Sequence, residues 1–253
     1  MRTFSLQSGS NGNSIYVEAL DTRILIDAGI SGACAQRRMA AHGRDIRDVQ
    51  ALIVTHDHTD HISGAGTFNR KYGIPIHITK KTQQAYVHGL GKVRGVKHFV
   101  SGESFTVGNL TIHTIATPHD AADAVAIIVE AEGRRLGVLT DIGNPFPGLI
   151  DLLESVDAAY LESNYDTLML EHGPYPPRLK QRIRGGAGHL SNDQAAELVK
   201  LCRRRRPNWI AIAHLSAENN EPHLALDAHH QATGRDYPVH HASRLDVSEV
   251  WEV

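Results

Sequence analysis

The stretch THDHTDHISG, residues 55–64, brings three histidines and two aspartates together between His56 and His61. It follows ALIV (51–54), an apolar run too short for a typical helix, which reads as a buried strand running into a polar loop. In an extended segment, residues two apart leave the backbone on the same side. His56 and His58 can therefore hold one cation between them. Asp60 and His61 lie past the bend and can face a second cation. The alternative is a solvated polar loop, which asks nothing of the rest of the chain.

Working outward, three more strand-like runs end at residues of the same chemistry. Run 110–116 leads to His119, run 135–140 to Asp141 and run 209–212 to His214. A sheet edge holds such groups in place while the loops stay open to substrate. The carboxylate of Asp141 can bridge two divalent ions, with His119 and His214 completing one sphere each. The expected metal set is thus His56, His58, Asp60, His61, His119, Asp141 and His214, around two ions. Nitrogen and oxygen ligands with open positions suit zinc, manganese or iron better than a structural zinc cage does. The 17 histidines of the chain agree with that reading, since imidazole is the commonest metal ligand.

The whole chain bounds the rest. A single α/β domain spanning 1–253 is expected at this length and 41% hydrophobic content. Lys and Arg number 26 against 28 acids, so global charge names no partner. Cys34 and Cys202 form no CxxC pair, which argues against a thiolate zinc site or a disulfide framework and fits a reducing cytoplasm. No run reaches the ~18 apolar residues of a membrane helix, and the first residues lack a secretory pattern, so a cytoplasmic protein without a membrane partner is expected. Composition and turn signals predict a hairpin over 13–20 and 22–29, and a strand pair over 124–143 turning at Glu132-Gly133. Helices are expected over 31–42, 80–88, 191–206 and about 221–234. The third would be capped by Ser191, closed by Arg203–Arg206 and stopped by Pro207.

These residues also carry a family pattern. THDHTDH, preceded by LIDAG (25–29) and followed by TPHDA (117–121), LTDIG (139–143) and AHLSAEN (213–219), resembles the metallo-β-lactamase superfamily over most of the chain. Within it, SGSNGNS (8–14), ESNYD (162–166), GPYPPRLKQRI (173–183) and GHLSN (188–192) look like the YycJ (WalJ) group. The resemblance implies a four-layer αββα sandwich of two mixed sheets, with metals at one edge. It implies that His56, His58 and His119 bind one ion, that Asp60, His61 and His214 bind the other, and that Asp141 bridges them. Asp27 would be an orienting carboxylate rather than a ligand; a simple turn aspartate is the alternative. The subgroup implies a DNA exonuclease-like role acting from the 5′ end.

Two ions ~3.5–4 Å apart can make a bridging hydroxide at neutral pH and clamp the oxygen on which charge builds. Phosphodiesters, thioesters, lactones and β-lactams all fit that chemistry, so the metals alone do not choose. GAGHLSN (186–192) discriminates further. His189 sits in a glycine-rich loop before the helix expected from Ser191, whose free N–H groups would favour a phosphate. His189 can then protonate the departing oxygen, giving a catalytic set of His189, Asp60 and Asp141; a capping or surface histidine is the alternative. This arrangement resembles the histidine loop of phosphodiesterase members of the superfamily. From Pro176 to Arg206 nine basic residues face two acids, so Arg178, Lys180, Arg182 and Arg184 are candidate contacts for a nucleic-acid backbone. Ser191 is a further candidate, Glu162 or Asn164 could line the site after its strand, and Asn11 or Asn13 could reach substrate from the first loop. Nucleic acid, with DNA favoured, is the expected partner. A small cyclic phosphodiester, thioester or lactone is the rival substrate, and a metal-bearing binding protein the non-enzymatic reading.

Overall fold

In a computed structural model covering residues 1–253, the first strands are β1 (Arg2–Gln7), β2 (Ser14–Ala19), β3 (Thr22–Ile26), β4 (Ala51–Ile53), β5 (Ile76–Ile78) and β6 (Lys97–His98). There follow β7 (Ser104–Val107), β8 (Leu110–Ala116), β9 (Val125–Ala131), β10 (Arg134–Leu139), β11 (Ala158–Glu162), β12 (Trp209–Ala213), β13 (Val239–His241) and β14 (Trp251–Glu252). They form two seven-stranded sheets, in the orders β14-β1-β2-β3-β4-β5-β6 and β13-β12-β11-β10-β9-β8-β7. The helices are α1 (Gly32–Ala41), α2 (Thr59–Ile62), α3 (Ala65–Tyr72), α4 (Lys80–Ala85) and α5 (Val87–Leu90). After them come α6 (Leu149–Glu154), α7 (Thr167–His172), α8 (Pro177–Arg184), α9 (Asn192–Leu201) and α10 (Pro222–Thr233).

Successive side chains of a strand point to opposite faces, and here both faces are covered. Ile15, Val17, Ile24 and Ile53 of the first sheet share a core with Ile112, Ile127, Leu136 and Tyr160 of the second. Their sequence neighbours point outward. Tyr16, Leu25 and Leu52 join Met39 of α1 and Phe68 of α3, while Ile128, Leu161 and Ile210 join Leu153 of α6 and Val199 of α9. Double burial explains why the strands read as near-continuous apolar runs. The result is the four-layer αββα sandwich.

Strands β3 to β6 are parallel in one sheet and β10 to β13 in the other. Ligands of such sheets gather outside the carboxyl ends of the strands. Asp27, Asp141 and His214 lie just beyond β3, β10 and β12, and all three take left-handed φ values of 63°, 54° and 55°. That conformation costs a non-glycine residue roughly 1–2 kcal/mol. Three such residues at one edge mark it as a place where the fold stores strain for function.

Three sequence expectations change. The helix expected to run to 206 ends at Leu201, because Glu154 Oε1 accepts the backbone N–H groups of Arg203 (2.7 Å) and Arg204 (2.9 Å) and draws the chain away. Arg203–Arg206 therefore do not close a helix; Arg204 pairs with Glu154 and Asp151, and Arg205 with Asp157. The helix expected over 80–88 is two short ones, broken at Tyr86 (φ −113°, ψ 19°). The N-terminal residues, for which no element was expected, supply strand β1, which lies between β2 and the short edge strand β14.

Helix α10 buries His229 completely, with Nε2 2.9 Å from Ser163 Oγ. Burial pushes its pKa down to about 4. The unfolded chain takes up this proton below about 6.5 and the folded one does not. Stability is therefore full above pH 6.5 and falls as pH drops towards 4, by roughly 2 kcal/mol at pH 5 from this residue. Urea midpoints at pH 7.5 and pH 5 should differ less in His229→Gln than in the parent. An identical difference would assign the acid sensitivity to other groups.

Candidate metal centre

The loop from Thr55 to His61 leaves β4 and turns into α2 at the carboxyl edge. Gly29 lets it lie there, since a Cβ on Gly29 would stand 1.7 Å from the Asp60 carbonyl oxygen. Asn13 N–H donates to that same carbonyl at 2.7 Å.

Five histidines share one arrangement. Each ring has one nitrogen facing a protein acceptor and the other facing a common space. Nδ1 of His61 donates to Asp27 Oδ2 (2.7 Å), Nδ1 of His56 to Thr55 Oγ1 (3.0 Å) and Nδ1 of His119 to the Gly188 carbonyl (2.9 Å). Nε2 of His58 donates to the Asp120 carbonyl (3.2 Å), and Nδ1 of His214 faces Glu162 Oε1 (3.3 Å). A proton fixed on the outer nitrogen leaves the inner lone pair for a metal, as ligating histidines require. Asp27 also accepts from the Thr55 N–H (2.8 Å) and hydroxyl, so one carboxylate orients both His61 and the start of the loop.

The inward atoms form two sets. His56, His58 and His119 bring ligand atoms within 4.8 Å of one another, and so do Asp60, His61 and His214. Asp141 stands between, with Oδ1 3.3 Å from His119 Nε2 and Oδ2 3.0 Å from His61 Nε2. His56 Nε2 and Asp141 Oδ2 are buried and make no hydrogen bond. Acceptor atoms this crowded need a proton or a cation between them, so the donor set fits divalent metal. Charge agrees. Burial opposes a charged His214, yet Asp141, Asp60 and Glu162 raise its pKa to about 10. Burial likewise opposes charge on His61, but Asp141, Asp27 and Asp60 hold its pKa well above the usual value. Metal binding here must displace protons, so it should tighten as pH rises.

His189 lies beside this centre, its ring 5.0 Å from that of His119 and 5.3 Å from that of His214. Nδ1 donates to Glu162 Oε1 at 2.6 Å. Glu162 is fully buried, and its other oxygen accepts the N–H groups of Ile142 (3.1 Å) and Leu190 (3.3 Å). Burial alone would raise its pKa, but the His189 charge and hydrogen bond bring it down to about 2. Glu162 thus stays ionised and positions both His189 and His214. The sequence placed it only as a candidate lining residue, although a lone acid closing the apolar strand AAYL was a usable signal.

Several expected substrate contacts do other work. Ser191 and Gln194 form a capping box, and the Asn192 N–H donates to the Tyr165 carbonyl at 2.9 Å. The helix start proposed for a phosphate is therefore filled by the protein's own groups, and the Ser191 hydroxyl is committed to the cap. Asn164 is buried and donates to the His214 carbonyl (2.8 Å), holding that strained turn. Arg182 grips Asp120 through Nε (2.5 Å) and Nη2 (2.9 Å), which ties α8 to the His58–His119 side of the centre. Lys180 donates to the Glu171 carbonyl (2.7 Å). Arg178 and Arg184 remain exposed and pair with no carboxylate. Asn13 is buried with Nδ2 3.0 Å from His61 Nε2, whereas Asn11 turns outward to the Arg244 carbonyl.

Comparison with known proteins agrees with this geometry. A family model described as a beta-lactamase superfamily domain matches residues 22–210. The exodeoxyribonuclease WalJ of Streptococcus pneumoniae is 38% identical over 224 residues, covering 87% of this chain and 83% of that protein. The exodeoxyribonuclease YycJ of Bacillus anthracis is 34% identical over 222 residues, covering 87% and 84%. Among solved structures, the metallo-beta-lactamase fold protein YhfI from Bacillus subtilis superposes with a TM-score of 0.77 at 16% identity, over 99% of both chains. That last likeness speaks for the fold alone. The chain belongs to the metallo-β-lactamase superfamily of metal-dependent hydrolases, in the group of the WalJ and YycJ proteins.

Proposed function

We propose that this enzyme is a dinuclear metal-dependent phosphodiesterase that shortens DNA from the 5′ end in the cytoplasm, using zinc or manganese, with iron as a third candidate. The observation that carries it is Asp141, whose two oxygens each face one histidine set, with His189 and Glu162 on the adjoining wall. The naming of two relatives, matched over 83% and 84% of their length, as exodeoxyribonucleases supports the substrate class. No helix is long and apolar enough to cross a membrane.

When bound, two divalent ions would lower the pKa of a water between them to give hydroxide and neutralise charge on the phosphoryl oxygens. The protein's own groups do the rest. Asp27, Thr55, Gly188, Asp120 and Glu162 lock the ligand rings in position, which prepares the site before substrate arrives. Glu162 fixes a proton on His189 Nδ1, leaving Nε2 as the nitrogen that can deliver a proton to the departing alkoxide as the P–O bond breaks. Arg178 and Arg184 are free to meet the phosphates that flank it.

The test uses protein stripped of metal and reloaded separately with zinc and with manganese. Each form is offered duplex DNA labelled at the 5′ or the 3′ end and, in parallel, a chromogenic nitrophenyl phosphodiester. Progressive loss of 5′ nucleotides with two metal equivalents per chain is the expected result. Turnover of the small ester without DNA shortening would move the assignment to a small-molecule phosphodiesterase. Inactivity on both would remove the phosphodiester reading.

A further inference from the structure

We infer that the outer flank of the first sheet, between Arg70 and Lys97, is a second track for the DNA phosphate backbone, leading away from the metal cleft; this rests on the nucleic-acid reading above. The chain's balanced composition hides it. From His61 to Gly102 there are 42 residues with seven Lys and Arg and no Asp or Glu. That +7, set against a total of −2, leaves −9 on everything else. All seven cations are exposed, and none pairs with a carboxylate. Elsewhere the arginines are readily neutralised, as Arg44 is by Glu18, Arg182 by Asp120 and Arg205 by Asp157.

The positive surface is built rather than scattered. Asn69 Nδ2 donates to the Ile74 (2.8 Å) and Arg94 (2.6 Å) carbonyls, while its Oδ1 accepts the Arg94 N–H (2.9 Å). This pins the loop carrying Lys92 and Arg94 beside Arg70, whose Nη1 is fixed on the Leu90 carbonyl (2.6 Å), around a shared cleft. At the other end, Lys80 and Lys81 open α4 at the carboxyl end of β5, the edge that holds the metal loop. Thr82 of α4 reaches the Asp123 carbonyl (3.4 Å), and the neighbouring Ala122 N–H donates to Asp57, between His56 and His58 (2.9 Å). The basic flank therefore starts beside the metal loop with Lys80 and Lys81 of α4, and continues to Lys97 of β6 and the cleft of Arg70, Lys92 and Arg94. A short edge strand such as β6 needs a charge like Lys97 to stop strand-to-strand association. One lysine meets that need, and the remaining six do not serve it. A polyanion does pair with a row of fixed cations, by releasing its counterions.

The experiment compares the metal-loaded enzyme with the metal-loaded triple variant Arg70→Glu/Lys92→Glu/Arg94→Glu. Affinity for a phosphorothioate duplex is read by anisotropy over a range of salt concentrations. Loss of about tenfold or more in affinity is expected, with the log–log salt slope reduced by about 2–3. Turnover of the nitrophenyl phosphodiester should be unchanged, which shows that the variant folds and keeps its centre. A second variant, Lys80→Glu/Lys81→Glu, should weaken DNA binding in the same sense. If the parent binds DNA and both variants match it in affinity and slope, the track is wrong while the nucleic-acid reading stands. If the parent neither binds nor cleaves DNA, that reading fails and the track falls with it. Loss of binding to anionic vesicles with DNA affinity unchanged would assign the flank to a lipid surface and overturn the proposal.

Discussion

Asp141→Asn should abolish DNA hydrolysis and weaken metal binding at both sites together. Asparagine keeps the size of the side chain and tolerates the left-handed turn at φ 54°, so the backbone of the edge should survive. What disappears is the one carboxylate whose oxygens reach both histidine sets, at 3.3 Å and 3.0 Å. Its charge is firmly present in the parent. Burial would raise its pKa, but His214, His61 and His119 hold it well below the usual carboxylate range. Removing an outer partner of a metal ligand typically costs ~10–100-fold in affinity, and if Asp141 is the shared direct ligand proposed above, its removal should cost more. Metal equivalents per chain and calorimetric affinities for zinc and manganese are the measurements. Loss of one equivalent with the other intact would assign Asp141 to a single ion. Retention of both at parental affinity would exclude the bridge.

The cluster proposed to hold metal was readable because four of its groups are local in sequence and follow a strand too apolar to be anything but buried. His119, Asp141 and His214 were readable by the same rule, each lying beyond an apolar run. The rule has a physical basis: parallel strands that share a direction deliver their carboxyl ends to one edge. Relations over long sequence separations were not visible. Glu154 cuts α9 short from about fifty residues upstream, and Glu162 finds His189 through packing of β11 against the loop after α8. The two- and three-residue strands β6, β13 and β14 carry too few side chains for any periodicity to register. The phosphate cradle at Ser191 was a misreading with a visible remedy. Ser191 followed three residues later by Gln194 is a capping-box spacing, and a helix start that caps itself has fewer N–H groups to offer a ligand. Whole-chain charge misled in the opposite direction, because the acid-free stretch from His61 to Gly102 is cancelled by acids distributed elsewhere.

His189→Ala is expected to keep its metal and its DNA affinity while slowing DNA turnover by about 10²–10⁴-fold, the usual worth of a positioned proton donor. The argument turns on the leaving group. A deoxyribose alkoxide is a poor leaving group unless it is protonated as the P–O bond breaks, whereas nitrophenolate leaves without help. If His189 Nε2 supplies that proton, the variant should lose most of its activity on DNA and little on a nitrophenyl phosphodiester. Equal losses on both substrates would mean that His189 serves binding or structure instead. Glu162→Gln separates the two halves of the arrangement. It removes the negative charge that His189 Nδ1 faces at 2.6 Å and that His214 Nδ1 faces at 3.3 Å. Metal content must therefore be measured alongside rate. Full metal occupancy with a selective loss on DNA would place the effect of Glu162 on the proton donor. Lost metal with parallel losses on both substrates would place it on His214 and leave the donor role resting on His189→Ala alone.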